Sequence, residues 1–151
     1  LEINGKVLAQ SNAINRYVGK QAGLYPKDDW EAAKVDEIMD VVEELYAKLA
    51  ETILLPEGPE KLAKRKALYD GPIKFYLERL EKQLEKNGGK FFVGNNLSVA
   101  DLRVYCLLRW LTSGTLDGIP KDCVTGKLHE FQTSLDQHPK IKEWQQKHAP
   151  K

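Results

Sequence analysis

Apolar residues in the middle of this chain recur at steps of three and four. Val35, Ile38, Val42, Leu45, Leu49 and Ile53 form one stripe, and Asp36, Asp40, Glu43 and Glu44 occupy the faces between. Such a period belongs to an amphipathic helix with one buried side. Asp28 or Asp29 caps its start, and Glu31 falls in the first turn, where the helix dipole favours an acid. Pro56-Glu57-Gly58-Pro59 follows its end. A further helical stretch, from about Glu60 to Asn87, carries a stripe of Ile73, Leu77, Leu80 and Leu84 and stops at Asn87-Gly88-Gly89. Asp70-Gly71-Pro72 lies inside it. Proline lacks an amide donor and crowds the preceding turn, which predicts a kink or a break there.

The sharpest local signal is Leu97-Ser98-Val99-Ala100-Asp101-Leu102. Ser98 as N-cap puts Asp101 three residues on, a capping box with Asp in place of Glu. Leu97 and Leu102 complete the hydrophobic staple around it. The helix so opened runs through Trp110 and Leu111 to Gly114. Two shorter helices follow, near Gly126 to Gln137 and Pro139 to His148; Pro139 suits a first helical turn.

The first residues follow a different period. Leu1 to Ile3 and Lys6 to Leu8 flank Asn4-Gly5, the dipeptide of a type I′ hairpin. Ser11 can cap a helix through Tyr17 that runs down between Gly19 and Gly23, and Leu24-Tyr25-Pro26 reads as extended. A lone hairpin is marginal in water, so these strands imply more sheet or shelter against the helices.

Composition narrows the functional classes. The 151 residues, 42% hydrophobic and 30% charged, describe a globular chain of about one domain. Lys and Arg number 23 against 22 Asp and Glu, so no global field points to nucleic acid or an anionic membrane. The local run Lys61 to Lys66 reads as a solvated helical face. No apolar run approaches a membrane span, and no signal peptide is visible. Cys106 and Cys123 have no metal-ligand spacing and read as reduced thiols, Cys106 in the core. Met39 is the single methionine, and Leu1 already lies in a strand pattern; the chain reads as a piece of something longer.

Motif chemistry is sparse. There is no Walker loop, GxGxxG, HExxH or GxSxG. His129, His138 and His148 are dispersed, so no metal site is expected. The acidic set of Asp36, Asp40, Glu43 and Glu44 could meet a cation or a ligand amine, or could simply be a solvated face. Gln10-Ser11 is more suggestive. A strand end feeding a helix start gathers free backbone amides, a hydroxyl and a side-chain amide around one point. Such a point suits a carboxylate, or it is a plain N-cap.

One family carries these features in this order. The segment LEINGKVLAQSNAINRYVGKQAGLYP, the long acidic helix, the proline-interrupted helix, FFVGNNLSVADL and the closing HPKIKEWQQKHAP resemble the cytosolic glutathione S-transferases over essentially the whole chain. The acidic helix and TSGTLDGIP resemble the sigma-like class, which includes glutathione-dependent prostaglandin D synthases. The resemblance implies a mainly α fold. Residues 26–151 would be the all-helical C-terminal domain. Residues 1–25 would be a hairpin-and-helix remnant of a thioredoxin-like, glutathione-binding domain, which answers for the stray hairpin.

The same resemblance implies roles for particular residues. Gln10 and Ser11 would hold the γ-glutamyl carboxylate of glutathione, the co-substrate. Glu44 would reach the γ-glutamyl ammonium in a neighbouring subunit; the family usually has Asp there, and Asp40, one turn earlier, is the fallback. Tyr46, Arg103 and Leu107 would line the pocket for a small hydrophobic electrophile. Ser98 and Asp101 would serve folding, not chemistry. The catalytic Tyr or Ser of the family belongs to a first strand that this sequence does not contain, so the chain alone would be inactive. A cytoplasmic homodimer without a required metal, nucleic acid or membrane partner is the implied setting. Two other readings stand beside it: a non-catalytic transferase-like protein used for packing or assembly, and a free-standing helical interaction module.

Overall fold

The computed structural model describes residues 1–148. Ala149 and Pro150 of the closing motif, and the last residue of the expected helical domain, lie outside them. The chain opens with two antiparallel strands, β1 (Glu2–Ile3) and β2 (Lys6–Val7), paired Glu2 to Val7 and Ile3 to Lys6. Asn4 (φ 51°) and Gly5 (φ 73°) supply the two left-handed residues that the tight turn needs. Both strands are exposed, Val7 to 78%.

Helix α1 (Ser11–Gln21) runs further than its glycines suggested. Gly19 does not end it. Gly19 is buried within α1 because a Cβ there would stand 2.4 Å from Cγ1 of Val99. The residue is thus a contact point between elements, not a stop. Beyond α1, the Val99 amide donates to the Leu24 carbonyl at 2.9 Å, fixing the linker against the start of the capped helix.

Helix α2 (Asp29–Ile53) is the 25-residue spine, capped by an Asp28 carboxylate that accepts from the Glu31 amide at 2.9 Å. Its stripe is buried as expected from Val35 to Leu49, with Met39 added and Ile53 left 47% exposed. Helices α3 (Pro59–Leu68) and α4 (Lys74–Lys86) are joined by a π-helical turn over Tyr69–Ile73. The expected break at Pro72 is therefore a widened turn. A π turn shifts the hydrogen-bond partner by one residue, which accommodates the donor that proline lacks without interrupting the helix.

The basic run on α3 is only partly solvated. Lys61 and Arg65 are buried with their aliphatic stems packed; the Lys61 ammonium pairs outward, while the Arg65 guanidinium also meets a buried hydroxyl. Lys61 reaches Glu57 at 2.5 Å, and Arg65 Nε donates to Thr52 Oγ1 at 3.2 Å.

Helix α5 (Val99–Thr112) packs along α2 and forms the centre of the core. Its capping box is present: Asp101 Oδ2 accepts from the Ser98 amide at 2.8 Å and the Ser98 hydroxyl at 2.7 Å. Asp101 Oδ1 also accepts from the Phe92 amide at 2.8 Å, so one buried carboxylate fixes both the helix start and the loop before it. Helices α6 (Gly126–Asp136) and α7 (Pro139–His148) close the structure. Phe92 and Phe131 meet edge to face at 5.2 Å. Tyr105 on α5 donates to Asp136 at 2.5 Å and accepts from Gln145 at 2.6 Å, which pins α7 although none of its residues is buried.

Candidate functional site

The start of α1 is conformationally unusual. Gln10 precedes the helix with φ 70° and ψ 121°, a region that non-glycine residues rarely occupy. Such a backbone costs about 1–3 kcal/mol and persists only where its surroundings enforce it. Ser11 is the first helical residue and not the cap expected of it. Its hydroxyl is turned toward α2, donating to Glu43 Oε2 at 3.3 Å. The first amides of any helix lack partners within it, so hydroxyl and amides share one end of α1.

Glu43 is the residue that sequence reasoning passed over. It belonged to the acidic set, but spacing alone gave no reason to prefer it to its neighbour. The oxygen that accepts from Ser11 also accepts from Arg103 Nη2 at 2.5 Å. The Arg103 guanidinium lies over the Tyr46 ring, 4.4 Å from its centroid, and its Nε is buried without a hydrogen-bond partner. On α5, Trp110 stacks on the same Tyr46 at 5.3 Å and 14°. Ser11, Glu43, Arg103, Tyr46 and Trp110 thus form one continuous path across α1, α2 and α5. Burial raises the Tyr46 pKa, so this hydroxyl stays protonated near neutrality.

The other expected ligands sit elsewhere. Asp40 Oδ1 accepts from Asn12 Nδ2 at 2.9 Å and lies 3.4 Å from Arg16 Nη2. One turn earlier, Asp36 accepts from Arg16 Nε at 2.7 Å and from the Tyr25 hydroxyl at 2.8 Å. Asn12 and Arg16, four apart on α1, face Asp36 and Asp40, four apart on α2. That matching spacing was readable in the sequence, and it assigns Asp40 to the seam between the two helices. Glu44 accepts from the Tyr76 hydroxyl at 2.6 Å, on the side of α2 that faces α4.

Of the three residues expected to line a pocket, the structure brings together Tyr46 and Arg103. Leu107 has no exposed surface. One helical turn beyond Arg103, it points into the α2–α5 core and presents nothing to a ligand. Cys106 reverses its expectation too, being exposed rather than core. Even so, desolvation of its sulfur outweighs the pull of Arg103 and Arg109 and raises the thiol pKa, which makes it a poor nucleophile. Among the described residues no three His, Cys, Asp or Glu side chains gather as metal ligands, and no helix is long and apolar enough to cross a membrane.

Comparison with known proteins fits this arrangement. The family described as glutathione S-transferase, C-terminal domain, matches residues 35–148. Glutathione S-transferase 1 of Ascaris suum is 34% identical over 150 residues, covering 95% of this chain and 70% of that protein. Glutathione S-transferase 3 of Caenorhabditis elegans is 32% identical over 146 residues, covering 94% and 69%. The match to a glutathione S-transferase of Anopheles gambiae, 35% identical, takes in 62% of this chain and 46% of that one.

Among solved structures, prostaglandin synthase D of Nilaparvata lugens superposes with a TM-score of 0.85 at 25% identity, covering 99% of this chain and 73% of that one. The glutathione S-transferase of Ascaris lumbricoides gives 0.81 at 31% identity with the same coverage. The Fasciola hepatica sigma class enzyme gives 0.79 at 26%, covering 95% and 68%. Helical order, the capped α5 and these matches agree: the chain belongs to the glutathione S-transferase family.

Proposed function

We propose that this chain is the helical part, with an adjoining glutathione-binding corner, of an enzyme that activates the thiol of glutathione. The thiol would be added to a small hydrophobic electrophile or used to isomerise one. The observation that carries this reading is the strained Gln10-Ser11 junction, where the Ser11 hydroxyl, turned to Glu43 in this structure, and the first amides of α1 can be offered to the γ-glutamyl carboxylate. Residues 1–25 then belong to a thioredoxin-like unit and the rest to the helical one. The Tyr46 and Arg103 platform forms part of the electrophile wall. Thiolate stabilisation, which lowers the thiol pKa, falls to a Tyr or Ser of the family that this sequence does not supply. The setting is a cytoplasmic homodimer that needs no metal.

Calorimetry tests the corner. Ser11→Ala removes one hydrogen bond to a charged group, so glutathione affinity is expected to drop about tenfold or more. Unchanged affinity would remove the assignment. Conjugation of a generic aryl halide by this chain alone is expected to stay at the uncatalysed rate. Robust turnover from a preparation of verified mass would show that the thiol is activated by residues within it.

A further inference from the structure

Helix α7 is tied to the rest of the protein by very little. Only Ile141 and Gln145 are half-buried, four residues apart and so on one face; its other residues are exposed. Ile141 is the α7 side chain that packs on the core. Trp144, the largest, is 63% exposed and stacks on His148 of its own helix, 4.6 Å between ring centres. That stack stiffens α7 without fastening it elsewhere. A free helix of this length is marginal in water, so α7 is helical because it is docked.

The second docked residue, Gln145, meets a hydroxyl whose bonding capacity is fully committed. Tyr105 on α5 is buried, and its hydroxyl donates to Asp136 Oδ1 at 2.5 Å. The same oxygen accepts from Gln145 Nε2 at 2.6 Å and from Arg109 Nη1 at 3.3 Å. One donor and two acceptor positions are all that a phenol offers. Three helices thus converge on one oxygen: α5 with Tyr105 and Arg109, α6 with Asp136, and α7 with Gln145. Gln145 is the member that α7 contributes, and Tyr105, Arg109 and Asp136 hold one another without it. Lys142 of α7 also reaches Gln137, but at 3.5 Å on the exposed surface.

We infer that α7 is a strap held by one latch, the Tyr105 hydroxyl, and that it opens as a unit while the α2–α5 core stays folded. Opening withdraws a single apolar side chain, Ile141, from the core and breaks the bond from Gln145. It leaves Tyr105, Arg109 and Asp136 bonded to one another at a newly wetted surface. The helices beneath are of the opposite kind. Helix α2 buries Val35, Ile38, Val42 and Leu45, and α5 buries Val104, Leu107, Leu108 and Leu111, so their amides open only with the whole molecule.

Hydrogen exchange read by mass spectrometry on the full polypeptide that carries this chain tests the strap. Hydrogen-bonded amides of α7 are expected to exchange more slowly than those of an unstructured peptide, yet at least about tenfold faster than those of α2 and α5. Exchange at the free-peptide rate, or in step with α2 and α5, overturns the inference. Two substitutions then address the latch from its two sides. Tyr105→Phe keeps the ring and removes the hydroxyl; Gln145→Ala removes the partner and leaves a good helix former. Each is expected to speed α7 exchange about tenfold, with a far smaller effect on α2 and α5. Combined, they should do little more than either alone, since both cut the same bond. Gln146→Ala, at the exposed neighbouring position, should change nothing. An α7 rate unmoved by either latch variant, an equal acceleration of α2 and α5, or an equal response to Gln146→Ala would each overturn the assignment.

Discussion

Asp101→Ala is expected to destabilise the protein by about 3 kcal/mol or more, measured as a shift in the urea unfolding midpoint. Asp101 has no exposed surface and accepts from the Phe92 amide, the Ser98 amide and the Ser98 hydroxyl. Alanine would strand these donors in the interior, and each buried unsatisfied group costs about 1–3 kcal/mol. The same carboxylate also sets a pH dependence. Burial raises its pKa and the three donors lower it, with burial the larger effect. The folded state therefore keeps its proton to higher pH than the unfolded chain does. Between the ordinary carboxylate pKa and the raised one the folded state binds more protons, so stability from this residue declines as pH rises through that window. In the difference between the unsubstituted protein and Asp101→Asn, most other titrations cancel. That difference should be largest at the acid end and shrink upward; a flat or opposite profile would contradict the sign.

Gly19→Ala is expected to destabilise the protein by about 2 kcal/mol in the same measurement. Two effects compete. Alanine in a helix interior gains about 1 kcal/mol over glycine from backbone entropy. Against this, the new methyl would overlap Val99 Cγ1 at 2.4 Å. Valine has little rotamer freedom with which to withdraw, so α1 must move off α5 and the clash wins. The test is a double-mutant cycle. Val99→Ala should recover most of the loss in the Gly19→Ala background, since it removes the atom in conflict. A stabilised Gly19→Ala protein would mean that helix propensity governs the site and that the close approach is unimportant.

The sequence disclosed whatever depended on neighbours along the chain. The α2 stripe, the Asn4-Gly5 turn, the Asp28 cap and the Ser98–Asp101 box all follow from local spacing, and the structure holds each of them. What escaped depended on a second element. Gly19 looked like a terminator until Val99 gave it a packing role. Glu43 and Glu44 are adjacent on one helix, and only partners on other helices decide their directions: Ser11 and Arg103 for one, Tyr76 for the other. Cys106 and Leu107 were misplaced for the same reason. On a helix enclosed on most sides, one residue's rotation separates surface from core, and an apolar stretch does not reveal which side remains open.

The widened turn at Tyr69–Ile73 has an architectural consequence. An α-helix advances 100° per residue, so taking up one extra residue re-phases everything beyond it by roughly that angle. The apolar rows of α3 and α4 therefore need not belong to a single continuous face, and two short cylinders can address different neighbours without a loop between them. Excising one residue from Tyr69–Ile73 would straighten the rod but swing Leu77, Leu80 and Leu84 away from the interior they now fill. The irregularity works as a gear between two halves of one rod.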